Sequence, residues 1–219
     1  MTETAVSSDY LTADSRDPKK PALFQTHGRP GKRLFDVAVC LLLLPVLLVA
    51  ALLLLILNPF FNRGPLFYVQ TRMGYGCEPF QAFKFRSMTK AAEIDRGPFD
   101  ALETNRITRL GRILRKSRVD ELPQILNVFA GQMSLIGPRP DFYDHAIVYV
   151  GSVRGYRRRH DVLPGISGFA QTEVGYVDGL EGLRRKVAAD LLYIRRASMR
   201  FDLWLTWQTL RTVVGRRGA

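Results

Sequence analysis

"FDVAVCLLLLPVLLVAALLLLIL", residues 35–57, is the stretch on which the fold turns, with Asp36 as its only charged residue. Built as a straight helix it reaches about 35 Å, enough for a hydrocarbon core of roughly 30 Å. It is too long for the apolar part of a signal peptide and no small-residue cleavage site follows, so it reads as a membrane segment. Two features bear on how it sits. Pro45 removes a backbone donor and crowds the preceding turn, dividing the run into arms of about 15 and 18 Å. Lys19, Lys20, Arg29, Lys32 and Arg33 precede the run and Arg63 and Arg72 follow it, and positive flanks mark the cytoplasmic side. With both flanks basic, the economical arrangement is a re-entrant helix-hairpin bent at Pro45, both ends in the cytoplasm. A kinked spanning helix is the alternative, since proline is tolerated in membrane helices.

Outward from this segment the chain divides into residues 1–31, a flexible cytoplasmic tail without periodicity, residues 32–60 in the membrane, and residues 61–219, a cytoplasmic domain. A hydrophobic content of 47% in 219 residues is ample for one core. The net charge of +12 calls for an anionic partner: nucleic acid, acidic lipid or a phosphorylated substrate. Cys40 and Cys77 have no metal-ligand spacing and only three histidines accompany them, which predicts reduced thiols and no zinc. No G-x-S-x-G or Cys/His pairing is in view, so carboxylates are left as nucleophiles or bases.

The pattern predicts an α+β chain, predominantly helical. Aromatic-rich stretches around a Gly-Tyr-Gly turn predict a β-hairpin over 66–72 and 80–87, with Phe83 and Phe85 on one face and Lys84 and Arg86 on the other. From Thr104 the spacing turns helical, and Arg106, Arg109, Arg112, Arg115 and Arg118 recur at every third residue. A solvated basic face explains this, and so does a surface for phosphates or lipid headgroups. Ser117 reads as the cap of a second helix that buries Leu122, Ile125, Leu126 and Phe129 and stops at Gly131. Asp120 and Glu121 then fall in its first turn, where acids complement unpaired amides whether or not they do chemistry.

Further along, two prolines bracket Arg139, a rigid turn that aims one guanidinium. "LPGISGFAQTEVGY", residues 163–176, is a Pro/Gly-rich loop whose small residues either admit a ligand to the backbone or merely connect. The helical stretch from Glu181 ends in "FDLWLTWQTLRTVV", residues 201–214, where Leu203, Trp204, Trp207 and Leu210 suit a membrane interface or a core.

"KFRSM", "LRKSRVDELPQILNVFAGQMSLIGPRP" and "LPGISGFAQ", in that order after a basic-flanked apolar run with a central proline, resemble the bacterial sugar transferase family. These are small monotopic polyprenyl-phosphate phosphoglycosyl transferases, and the resemblance covers about residues 31–215. It implies transfer of a sugar 1-phosphate, galactose or glucose being the obvious sugars, from a UDP-sugar to undecaprenyl phosphate with release of UMP. Such a reaction initiates an exopolysaccharide at the cytoplasmic face of the bacterial inner membrane. By the resemblance Asp120 is the covalent nucleophile and Glu121 its companion, Mg²⁺ assists, and Lys84, Arg86, Arg115 and Arg139 meet substrate phosphates. Asp202 is implied near the metal beside Asp120, with Asp190 in support and Pro45 at the membrane bend. Leu44 stands where many relatives have Ser or Thr, removing a hydroxyl able to satisfy a carbonyl freed at that bend.

A carboxylate flanked by arginines at a helix start is expected to stay ionised and so to need no base. Adjacent residues of a helix point about 100° apart, so Asp120 and Glu121 do not face one substrate atom as a glycosidase pair would. The implied partners are the UDP-sugar, undecaprenyl phosphate and membrane lipid, with no nucleic acid. No residue pattern fixes the oligomeric state, and a homodimer stays open. The competing reading is a membrane-tethered basic module that binds nucleic acid or anionic lipid without catalysis.

Overall fold

The computed structural model describes residues 30–89, 97–100, 104–175 and 179–215. The expected tail and its cations Lys19, Lys20 and Arg29 lie outside the described residues. The apolar run forms one helix, α1 (Pro30–Phe61), whose backbone stays helical through Pro45 and Pro59; it is not two helices joined by a turn. Lys32, Asp36, Cys40, Leu47, Leu54 and Asn58 are its buried residues, a stripe at spacings of four and seven. Around that stripe Leu42, Leu48, Leu52, Ile56 and Phe60 are each more than half exposed. So large an uncovered aliphatic surface is the mark of membrane association.

Both ends of α1 are fastened to the same layer. At its start Arg33 donates to the Val128 and Phe129 carbonyls at 2.6 and 3.0 Å. Asp36 accepts from the Ser134 hydroxyl at 2.7 Å and the Leu135 amide at 3.3 Å. Just past its end the Asn62 amide donates to the Arg86 carbonyl at 2.7 Å.

The hairpin is β1 (Phe67–Met73) paired antiparallel with β2 (Pro79–Phe85), one residue from the expected limits at each end of the turn. Gly76, at φ 64°, supplies the left-handed backbone that closes the turn. Phe85 is buried and stacks on Phe67 at 5.4 Å between centroids. The side chain of Asn127, fully buried, lies along β2, accepting from the Phe83 amide and donating to the Gln81 carbonyl.

The arginine-rich stretch folds as α2 (Arg109–Lys116), capped by the Thr108 hydroxyl, which accepts from the Gly111 amide at 2.9 Å. Ser117 does not start the following helix. It ends α2, and its hydroxyl donates back to the Ile113 and Leu114 carbonyls. Arg118 then turns the chain at φ 58°, Val119–Glu121 make one 3-10 turn, and α3 (Gln124–Phe129) follows. Asp120 and Glu121 therefore sit in a tight turn between two helices, both buried, and not in the first turn of a solvated one. Gly131, at φ 75°, does close α3.

β3 (Ser134–Ile136) leads into the Pro-Arg-Pro turn and pairs parallel with β4 (Gly165–Ser167). The glycines here serve backbone packing. A Cβ on Gly165 would lie 2.1 Å from the Gly137 nitrogen, and one on Gly168 2.1 Å from the Gly137 oxygen. Gly165→Ala is thus expected to cost about 3 kcal/mol, a fall of about 6–12 °C in melting temperature. A melting curve unchanged from the parent would contradict this packing.

The remaining α-helices are α4 (Tyr143–Ser152), α5 (Phe169–Glu173), α6 (Gly179–Arg196) and α7 (Met199–Val214), and Tyr156–Asp161 form a 3-10 segment. One core gathers α1, β2, α3 and the β3/β4 pair; a second, around Tyr149 and Tyr156, joins α4 to α6. On α7 Leu205 is buried, whereas Leu203, Trp204, Trp207 and Leu210 are 41–60% exposed. That outward apolar face fits an interfacial helix and not a buried one.

Candidate active site

The turn after Arg118 leaves the two acids in opposite circumstances. Glu121 is surrounded by cations: the Lys84 ammonium lies 2.7 Å from its Oε1, Arg139 forks onto both its oxygens, and Arg118 approaches at 3.5 Å. Although burial works against the charge, Arg139 and Lys84 hold this carboxyl well below the usual range. Asp120 has no such clamp. Its Oδ1 is buried without a hydrogen-bond partner, and burial, reinforced by the neighbouring Glu121 charge, pushes its pKa up against the pull of Lys84, Arg115 and Arg139. The arginines expected to keep Asp120 ionised do act on it, but burial and the Glu121 charge outweigh their pull. Burial also lowers Lys84 to about 8 despite Glu121 beside it.

Of the expected phosphate ligands, Lys84 and Arg139 are brought together on Glu121, and Arg115 stands near enough for its charge to act on Asp120. Arg115 also donates to the Met88 sulfur at 3.5 Å. Arg86 is elsewhere: its guanidinium packs on Gly64 and donates to the Pro65 carbonyl at 3.0 Å. The strand alternation that put Lys84 and Arg86 on one face was legible, but Arg86 lies beyond the end of β2, where the chain meets the end of α1.

Asp190 lies in a buried network behind Arg139. It accepts from Arg159 Nε at 2.6 Å, while the same guanidinium donates to Asp141 at 2.7 Å and to the Arg139 carbonyl at 2.8 Å. Lys186 and the Tyr156 hydroxyl also reach Asp141, whose carboxyl Lys186 and Arg159 hold far below its ordinary value despite burial. The backbone of the Pro-Arg-Pro turn is therefore pinned from behind by Arg159. Neither Arg159 nor Asp141 stood out in the sequence: Arg159 hides in "RRRH", residues 157–160, which reads as a solvated basic run.

Asp202, implied by the resemblance to stand near the metal, bonds at the start of α1. Its Oδ2 accepts from Lys32 at 3.0 Å and its Oδ1 from the Tyr193 hydroxyl at 2.8 Å, both buried at the start of α1. Among the described residues no group of three or more His, Cys, Asp or Glu forms a metal cage. Magnesium, however, keeps several waters and needs only one or two carboxylates when phosphates complete its shell. The unpartnered Asp120 Oδ1 fits that requirement.

The model of the bacterial sugar transferase family matches residues 27–216. The chain is 36% identical over 215 residues to an Aeromonas hydrophila protein, UDP-N-acetylgalactosamine-undecaprenyl-phosphate N-acetylgalactosaminephosphotransferase, covering 98% of this chain and 50% of the relative. It is 39% identical over 186 residues to the UDP-glucose:undecaprenyl-phosphate glucose-1-phosphate transferase of Escherichia coli K12, covering 82% of this chain and 39% of the relative. An exopolysaccharide production protein of Rhizobium leguminosarum is 37% identical over 193 residues, which cover 82% of this chain and 92% of that protein. The chain thus spans half or less of the first two relatives.

Proposed function

Because the chain belongs to the bacterial sugar transferase family, we propose that it is an enzyme moving a sugar 1-phosphate from a UDP-sugar to undecaprenyl phosphate through a covalent bond to Asp120. The observation that carries this reading is the inequality of the two acids: Glu121 fixed by three cations, Asp120 buried with an oxygen unpartnered. An Asp120 carboxylate oxygen attacks the phosphorus bonded to the sugar. An O–P bond forms there while the bond from that phosphorus to the bridging oxygen breaks, and UMP leaves with the electron pair. An oxygen of undecaprenyl phosphate then attacks the same phosphorus, the aspartyl O–P bond breaks, and Asp120 regains its carboxylate. The polyprenyl diphosphate sugar so made would begin a polysaccharide.

The approach of an anion to a diphosphate needs compensation. Lys84, Arg115, Arg118 and Arg139 stand against two carboxylates, leaving the site positive where phosphate charge develops. Glu121 acts here as a positioning residue that holds three of these cations. When bound, Mg²⁺ at Asp120 would neutralise phosphate oxygens as a Lewis acid. Relatives named for UDP-glucose and UDP-N-acetylgalactosamine make these two, with UDP-galactose, the sugars to assay first.

The same reading bends α1 at Pro45 and keeps both ends at the cytoplasmic face of the inner membrane. A straight helix would hold Arg33 and Asn62 about 44 Å apart. Their partners, Val128 beside Asn127 on Phe83 and the Arg86 carbonyl, are tied to a strand segment of only about 10 Å. A sharp bend in the helix would reconcile those lengths, and an interior proline is where such a bend forms.

Two outcomes test the chemistry. Protein incubated with UDP-sugar and no acceptor, quenched and digested, is expected to carry a sugar phosphate on the peptide at Asp120; an adduct elsewhere, or none, overturns the proposal. The rate is expected to rise with pH through a pKa above the ordinary carboxylate value, as Asp120 ionises, and to fall near pH 8 as Lys84 loses its charge. Lys84→Arg stays protonated, so it should move the alkaline limb upward; a limb left in place would remove Lys84 from the account.

A further inference from the structure

At the far end of α1, Leu55, Asn58, Pro59, Arg63, Gly64 and Leu66 line a cavity of about 340 Å³ that none of the acids and cations around Glu121 borders. Two of its groups face unlike demands. Asn58 is 5% exposed and its Oδ1 is buried without a partner, a state that costs about 1–3 kcal/mol until a donor arrives. Arg63 is exposed at the rim, just past Phe60 and Phe61, which are 76% and 60% exposed. Exposed aromatics followed by a cation at the end of an apolar helix set this cavity at the depth of lipid headgroups. Leu55 and Leu66 give the remaining wall an apolar surface continuous with the exposed side of α1.

A ligand that answers all three features carries an anion for Arg63, a hydrogen-bond donor for the Asn58 oxygen and an aliphatic chain for the leucines. We propose that this cavity binds a glycerophospholipid of the surrounding bilayer whose headgroup bears a donor beyond its phosphate, an ammonium or a hydroxyl. Inorganic phosphate satisfies Arg63 but not the leucines, and a choline headgroup has no N–H or O–H for Asn58. The cavity holds a headgroup with its glycerol and leaves the acyl chains along α1. Such a lipid would fix the end of α1, and with it the Asn62–Arg86 contact two residues beyond Lys84. The site does not depend on the transfer reaction and can be tested without it.

The full chain, purified in detergent and freed of lipid, is mixed with equal amounts of phosphatidylethanolamine, phosphatidylglycerol and phosphatidylcholine of identical acyl chains and weighed by native mass spectrometry. Adducts with the ethanolamine and glycerol lipids are expected to exceed those with choline at least about five-fold. Asn58→Leu should erase that preference, and Arg63→Gln should lower all three adducts several-fold. Equal retention of the choline lipid, or a preference intact in Asn58→Leu, overturns the proposal. If Asn58→Leu does not fold, the exposed Arg63→Gln decides, and adducts at parental level reject the site. Displacement of bound phospholipid by stoichiometric undecaprenyl phosphate would likewise reject it, since the cavity would then belong to the acceptor.

Discussion

Asp120→Asn is expected to lower UMP release by at least about 10³-fold while making the protein harder to melt, because the nucleophile is also an unfavourable charge in the fold. Burial and the Glu121 charge raise the folded-state pKa of Asp120 above its unfolded value. The folded state therefore binds that proton more tightly than the unfolded chain, and stability declines as pH rises through the raised pKa. Asparagine carries no charge at any pH, so the variant escapes the decline. The gain is expected to be about 1–2 kcal/mol at neutral pH, or about 2–8 °C. It should vanish below about pH 4, where the unfolded chain is protonated too. Thermal melts of parent and variant between pH 4 and 8, beside a UMP assay, read both effects. An active variant, or one that melts lower than the parent at pH 7, would sink the assignment.

The second large effect belongs to Arg159, which is 1% exposed and joins Asp141, Asp190 and the carbonyl of Arg139. Arg159→Met keeps the bulk but leaves buried Asp190 and partly buried Asp141 each short of a cation, a loss of about 3–5 kcal/mol, which is about 6–20 °C in melting temperature. The turn that aims Arg139 at Glu121 loses its rear support, and a displacement of about 1 Å there costs about 10²-fold in rate. Asp190→Leu added to Arg159→Met should recover part of the stability by removing one stranded charge, whereas the rate should stay low. Independent, additive losses in that double variant would show that the network is not a unit.

The large divisions were legible because they rest on composition and period. An apolar run of 23 residues broken by one acid, a hairpin with alternating phenylalanines, and an Asp-Glu pair ahead of Pro-Arg-Pro could each be located from residues 35–57, 83–85 and 120–140. The turn at Arg118 could not, since a non-glycine residue at positive φ leaves no compositional trace, and Ser117 fits a helix start as well as the helix end it makes. Nor could the division of labour between Asp120 and Glu121. Adjacent carboxylates look alike in sequence, and only burial and the arrival of Lys84 and Arg139 from distant segments separate them. Asp202 shows the converse difficulty. The resemblance implies Asp202 near the metal, and no local pattern tells that Lys32, 170 residues earlier, bonds to it at the start of α1.

Asn127 carries a consequence for how the molecule behaves in company. Among the described residues β2 has no third strand beside it, and a two-stranded ribbon leaves an edge on which another chain can add. The carboxamide, bonded to the Phe83 N–H and the Gln81 C=O, imitates one peptide unit of the missing neighbour. A single side chain thus stands guard against templated aggregation, at a place where crowding on a bilayer surface would otherwise invite it.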